Sequence, residues 1–138
     1  MLPKAGCLPY SPKACWEGIK MSRRLCFALD LVNDAAKIAE YETFHAPGGV
    51  WPEIVDDIRA QGIEGMEIWR TGDRMVMIAT VADDHPRTRD IPAKYDEWEN
   101  LMWTFQKALP HAAPGQKWMP MARIFDLAQQ QGVTSQTD

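Results

Sequence analysis

The sequence predicts an α+β domain of the ferredoxin-like, split βαβ kind, with an antiparallel sheet carrying helices on one face. Three observations lead there. Strand-like and helix-like runs follow one another in the order β–α(α)–β–β–α–β. Two of the strand runs, Ile63–Arg70 and Met75–Val81, flank Thr71-Gly72-Asp73, a turn with glycine at its centre, and so read as a hairpin. The segment Met75-Val76-Met77-Ile78-Ala79 is apolar on both faces, although one helix layer covers only one of them. A second sheet is expected to cover the other, so the pattern predicts a homodimer joined through its sheets, a dimeric α/β barrel.

Length and composition set the frame. At 138 residues the chain is expected to be one domain, and 46% hydrophobic with 25% charged residues is the balance of an ordinary globular protein. A net charge of −4 argues against a nucleic-acid surface, which normally carries a basic excess. No apolar run approaches the ~18 residues that suggest a membrane span. Cys7, Cys15 and Cys26 have no metal-ligand spacing and leave an odd thiol, which fits a reducing compartment and a cytoplasmic protein.

The elements follow in order. Residues 1–20 hold three prolines and no sustained periodicity, and are expected to be a weakly ordered N-terminal extension without chemistry of their own. The domain proper is expected over residues 21–128, followed by a polar tail, 129–138. Leu25, Phe27, Leu29 and Leu31 alternate as in a strand. Asn33 or Asp34 caps the first helix, which runs to about His45 and is broken by Pro47-Gly48-Gly49. Pro52 and Glu53 suit a helix start; Trp51, Ile54, Val55 and Ile58 give the second helix its buried face, and Gly62 suits its end. After the hairpin and a polar loop at 83–92, Tyr95, Trp98, Leu101, Met102, Phe105 and Leu109 fit an amphipathic helix ended by Pro110. A last strand is expected at about 117–127, with Pro120 marking an edge or a bulge.

The chemistry is expected around YETFHAPGGVWPE, residues 41–53. Residues four apart on a helix share a face, so Tyr41 and His45 point the same way. With Ile38 they form an inward stripe. Two readings fit: a helix-end histidine satisfying a carbonyl beside a core tyrosine, or two rings entering a cleft where the imidazole transfers a proton and the phenol orients it.

The runs IAEYETFH…VWPEI, the strand I-x-x-M-x-I-W and the closing LPH…KWMPMARIFDL resemble the L-rhamnose mutarotase family over roughly residues 23–127. The resemblance implies a dimeric ferredoxin-like protein that interconverts the α and β anomers of a deoxy-sugar pyranose, without metal or organic cofactor. It implies that His45 is the proton-donating catalytic residue and that Tyr41 and Trp98 contact the sugar. At two further substrate-contacting positions the chain departs from the family: Met66 stands in place of a tyrosine and Glu99 in place of a second tryptophan. A carboxylate accepts hydrogen bonds where an indole can only donate, so the departures predict a preferred sugar other than L-rhamnose, with L-fucose the leading 6-deoxy candidate.

Mutarotation suits these residue types. Opening a hemiacetal ring needs a proton delivered to the ring oxygen and one removed from the anomeric hydroxyl, and an imidazole does both near neutral pH. Several other groups are weaker candidates. Asp83-Asp84-His85 resembles a metal cluster only in composition. Glu67 and Trp69 alternate onto the face away from Met66. His111 is placed at the cleft mouth, and Trp51 is read as packing. For a second proton transfer the candidates are Glu99, bound water and the sugar's own hydroxyls. The competing functional readings are a haem-binding or aromatic-substrate monooxygenase on the same dimeric barrel, and a non-catalytic sugar-binding module; fold alone does not separate them.

Overall fold

The computed structural model describes residues 22–130. The predicted N-terminal extension and residues 131–138 of the tail lie outside them. Strand β1 spans Ser22–Leu31, helices α1 and α2 span Ala35–Phe44 and Pro52–Ala60, and strands β2 and β3 span Ile63–Thr71 and Arg74–Ala82. Helix α3 (Tyr95–Trp103), two short strands β4 (Gln106–Lys107) and β5 (Met119–Pro120), and a 3₁₀ turn at Leu127–Gln130 complete the described residues.

The sheet is antiparallel, in the order β2-β3-β1-β4, with β5 also paired to β1. Register follows from the apolar pattern, because a slip by one residue turns every side chain to the opposite face. Leu25 faces Ala79, Phe27 faces Met77 and Leu29 faces Met75 across the β1–β3 ladder, all toward the helices. Leu29, Leu31, Met75, Val81 and Met102 are the most completely buried side chains. Each such burial is worth about 1.5–3 kcal/mol, and together they seat the helices on one side of the sheet. The alternate residues, Cys26 and Ile78, Ala28 and Val76, lie opposite each other on the other face, where Trp69 is 63% exposed.

Helix α1 starts where Asp34 caps it, Oδ1 accepting from the Lys37 amide at 3.0 Å. Helix α2 begins on Pro52 and ends before Gly62, whose φ of +95° is open to glycine at little cost. Between the two helices, Gly49 folds back so tightly that a Cβ there would sit 2.6 Å from the carbonyl oxygens of Thr43 and Phe44. Only glycine fits, and the result is a short link that carries the chain from His45 directly to Trp51.

The structure corrects two expectations. The third helix stops at Trp103, well short of Leu109: the Thr104 hydroxyl donates to the Leu101 carbonyl at 2.6 Å, and Phe105 then offers its carbonyl to Val32 as the chain turns into β4. Phe105 and Leu109 are buried, as their apolar character demands, but not on a helix. The closing strand is two residues long rather than spanning 117–127: after the Met121 amide donates to the Cys26 carbonyl at 2.8 Å the chain leaves β1, and Ile124 is 95% exposed. Over Met66–Trp69 strand β2 alternates as expected, Met66 and Ile68 opposing Ala79 and Met77 while Glu67 and Trp69 oppose Ile78 and Val76. A bulge between Ile63 and Gly65 lets Ile63 and Met66, three apart, oppose Val81 and Ala79 on the same face.

Candidate active site

A cavity of about 420 Å³ lies between the sheet and the helices, within the size range of small-molecule sites. Its floor is the helix-facing side of the sheet, including Phe27, Met66, Ile68 and Met77, and its walls come from all three helices. His45, Tyr41, Trp98, Met66 and Glu99 all line it. His111 is exposed and does not, so the expectation that it stands at the cleft mouth fails. Trp51 packs behind the site, edge-on to Trp98 with ring centroids 5.0 Å apart.

The end of α1 sets the geometry of His45. The helix tightens there: the His45 amide donates to the Glu42 carbonyl rather than to that of Tyr41. The Tyr41 carbonyl is one of the last-turn acceptors that a helix leaves without a backbone partner. His45 Nδ1 takes it at 2.8 Å. A carbonyl only accepts, so Nδ1 carries the proton and the neutral ring has its lone pair on Nε2. No described residue bonds Nε2. The imidazole is held against Tyr41, centroids 4.2 Å apart and planes tilted by 31°, and lies 5.9 Å from the Trp98 ring. Burial disfavours the imidazolium and lowers the His45 pKa below the usual 6.5, with the bond to the Tyr41 carbonyl opposing in part. At neutral pH the ring is a base with a directed lone pair.

Tyr41 is 4% exposed, and its Oη accepts from Gln106 Nε2 at 3.0 Å. Burial pushes its pKa up to about 12; the Gln106 bond lowers it somewhat and the charge of Glu99 raises it. The phenol therefore stays protonated, a donor rather than a proton-transfer partner.

The carboxylates are tied down. Glu99 accepts from Lys117 Nζ at 2.7 Å, and the ammonium also lies 4.8 Å from the centre of the Trp103 ring. Asp57, with a side chain 2% exposed, is gripped by Arg89 through two bonds of 2.8 and 2.9 Å and accepts from Gln61 at 3.2 Å. Hydrogen bonding from Arg89 holds the Asp57 pKa below the usual carboxylate value, so this residue is a fixed anion that braces the cavity wall. Asp84 pairs with Arg87, and among the described residues no group of three or more His, Cys, Asp or Glu side chains is placed to hold a metal.

Sequence reasoning missed Gln106, Lys117 and Asp57 and weighed His85 only as part of a metal cluster; all four line the cavity. Gln106 left one signal: a polar residue between the apolar Phe105 and Leu109. His85 follows β3 at the far end of the sheet, its Nδ1 buried without a partner among the described residues.

The sequence model of the L-rhamnose mutarotase family matches residues 24–127, most of the chain. The chain belongs to the L-rhamnose mutarotase family. An L-fucose mutarotase of Xanthomonas campestris is 49% identical over 112 residues, covering 78% of this chain and 90% of its own length. A UPF0734 protein of Dictyostelium discoideum is 35% identical over 109 residues, covering 72% of this chain and 86% of its own. The crystal structure of an L-rhamnose mutarotase from Formosa agariphila superposes with a TM-score of 0.56 at 17% identity, covering 75% of this chain and 97% of that one. The family match takes in every cavity residue discussed above, and the superposition supports the fold.

Proposed function

We propose that the protein is an isomerase that interconverts the α and β anomers of a 6-deoxy-hexopyranose, and that L-fucose is preferred over L-rhamnose. The observation that carries the reading is His45: a neutral imidazole whose tautomer is fixed by the Tyr41 carbonyl, with Nε2 left for a ligand in the cavity between sheet and helices. Nε2 takes the proton from the anomeric hydroxyl oxygen as the bond from the anomeric carbon to the ring oxygen breaks, giving the aldehyde. The imidazolium then protonates the released ring oxygen. Both oxygens start on one carbon, so a single nitrogen serves both. Rotation about the adjacent carbon–carbon bond presents the other aldehyde face, and the reverse steps close the ring. Acid–base assistance of this kind is worth about 10²–10⁴ in rate.

The remaining residues bind. Tyr41 donates its O–H to a sugar oxygen, Trp98 lies along the C–H face, and Met66 with its apolar neighbours receives the methyl group that distinguishes a 6-deoxy sugar. Glu99, held by Lys117, accepts from hydroxyls where the family has an indole. The 49% identical L-fucose mutarotase supports the sugar preference. Family membership favours this reading over the haem-binding, monooxygenase and binding-only alternatives.

The reading extends to assembly: a ferredoxin-like protomer pairing into a dimeric α/β barrel in the cytoplasm. The open face of the sheet, with half-buried Cys26, Val76 and Ile78 and exposed Trp69, supports the pairing, as do the exposed Ile124, Phe125 and Leu127 beyond β5. Anomerisation rates for L-fucose, L-rhamnose and their 6-hydroxy relatives, measured side by side, test the function. L-fucose should be fastest; L-rhamnose fastest by a clear margin would remove Met66 and Glu99 as the source of preference.

A further inference from the structure

We infer that Gln106 is a substrate-binding residue, which together with Tyr41 reads two neighbouring oxygens of the sugar ring. The inference rests on the mutarotase reading and names a contact at the same site.

Gln106 begins β4, where its backbone pairs with Leu31, and its side chain enters the cavity wall beside Tyr41. The residue is only 6% exposed. Buried amide groups normally find partners for both ends, and this one has found a partner for one. Nε2 donates to Tyr41 Oη at 3.0 Å, whereas Oε1 is buried with no partner among the described residues. An acceptor left unpaired in such a wall is destabilising unless something that enters the cavity supplies the donor.

The direction of the existing bond fixes the rest. An amide N–H only donates, so Tyr41 Oη accepts from Gln106 and the phenolic proton is free for another acceptor. The pair therefore presents one donor, the Tyr41 O–H, and one acceptor, Gln106 Oε1. A sugar carries hydroxyls on adjacent carbons, each able to give and to take a hydrogen bond. One hydroxyl oxygen accepts from Tyr41 while its neighbour donates to Gln106. Tyr41 is stacked on His45, so this contact sits next to the proton-transfer group and sets which hydroxyl pattern is held there during ring opening.

The test measures kcat and KM for anomeric exchange in the wild type and in Gln106→Met, using L-fucose and its 2-, 3- and 4-deoxy analogues. In the wild type the analogue lacking the hydroxyl that donates to Gln106 should lose about tenfold or more in kcat/KM, the scale of a buried acceptor left unpaired. In Gln106→Met, L-fucose itself should fall by a similar factor, mainly through KM, and that analogue should fall no further. An equal fall for all four sugars, unchanged L-fucose kinetics, or no discrimination among the analogues by the wild type would overturn the inference while leaving the mutarotase reading intact. Absence of catalysed exchange for every sugar would overturn both. Should Gln106→Met fail to fold, the side-chain amide NMR signals of Gln106 in the wild type decide: a shift on titration with L-fucose supports the contact, and no shift overturns it.

Discussion

Replacing His45 by alanine separates its two jobs, base and helix cap. As the base it accounts for about 10²–10⁴ in rate, equivalent to about 2.7–5.4 kcal/mol of barrier at 1.36 kcal/mol per decade. As a cap it bonds the Tyr41 carbonyl at 2.8 Å and stacks on the Tyr41 ring at 4.2 Å. Losing a hydrogen bond costs about 0.5–1.5 kcal/mol and losing an aromatic pair about 0.5–1.5 kcal/mol, so His45→Ala should be destabilised by about 1–3 kcal/mol and still fold. His45→Gln keeps a donor for the carbonyl and should recover part of that stability without recovering rate. Urea unfolding gives the first quantity, and NMR exchange between anomeric protons the second. Folded His45→Ala protein exchanging anomers at close to the wild-type rate would refute the assignment. So would His45→Gln regaining activity along with stability.

Three further outcomes follow from the same geometry. Because burial lowers the His45 pKa, its unfolded state binds a proton first as the pH falls. Activity should be flat above pH 6.5 and fall on the acid side as the base is protonated; this residue's share of the stability should be complete above about 6.5 and lost as pH drops through the lower folded value. A pH series of exchange rate and melting temperature on wild type and His45→Gln checks both. Gly49→Ala drives a methyl into the Thr43 and Phe44 carbonyls, contacts of 2.6 Å, and should cost about 1–3 kcal/mol and slow exchange by displacing His45; a wild-type melting temperature would contradict it. The wild-type protein should sediment as a dimer at micromolar concentration and Ile78→Glu, on the open sheet face, as a monomer; a wild-type monomer at all concentrations would contradict the stacked sheets.

Much of this architecture was legible in the sequence because it depends on local pattern. The alternation of Leu25 to Leu31, the Gly72 turn and the Asp34 cap each act within a few residues, and the structure places all three as read. The Tyr41–His45 pairing is likewise a matter of helical spacing. What could not be read depends on contacts distant in sequence. Helix α3 stops at Trp103 because Gln106 and Lys107 find β1, a pairing no periodicity announces. The bulge at Ile63–Gly65 is a matter of how β2 registers against β3. Glu99 reads as a sugar contact and a candidate for the second proton transfer, since nothing at its position shows that Lys117 comes to meet it. Gln106 went unnoticed because its importance lies in a bond to Tyr41, 65 residues away.

The central claim is that the cavity behind His45 opens and closes a sugar ring. Saturation transfer between the two anomeric proton signals of L-fucose, in the presence of a trace of the protein near neutral pH, tests it most directly. Saturating one anomer should diminish the other strongly with wild-type protein and leave it at the uncatalysed level with His45→Gln. If neither L-fucose nor L-rhamnose shows transfer above buffer, the mutarotase account is wrong.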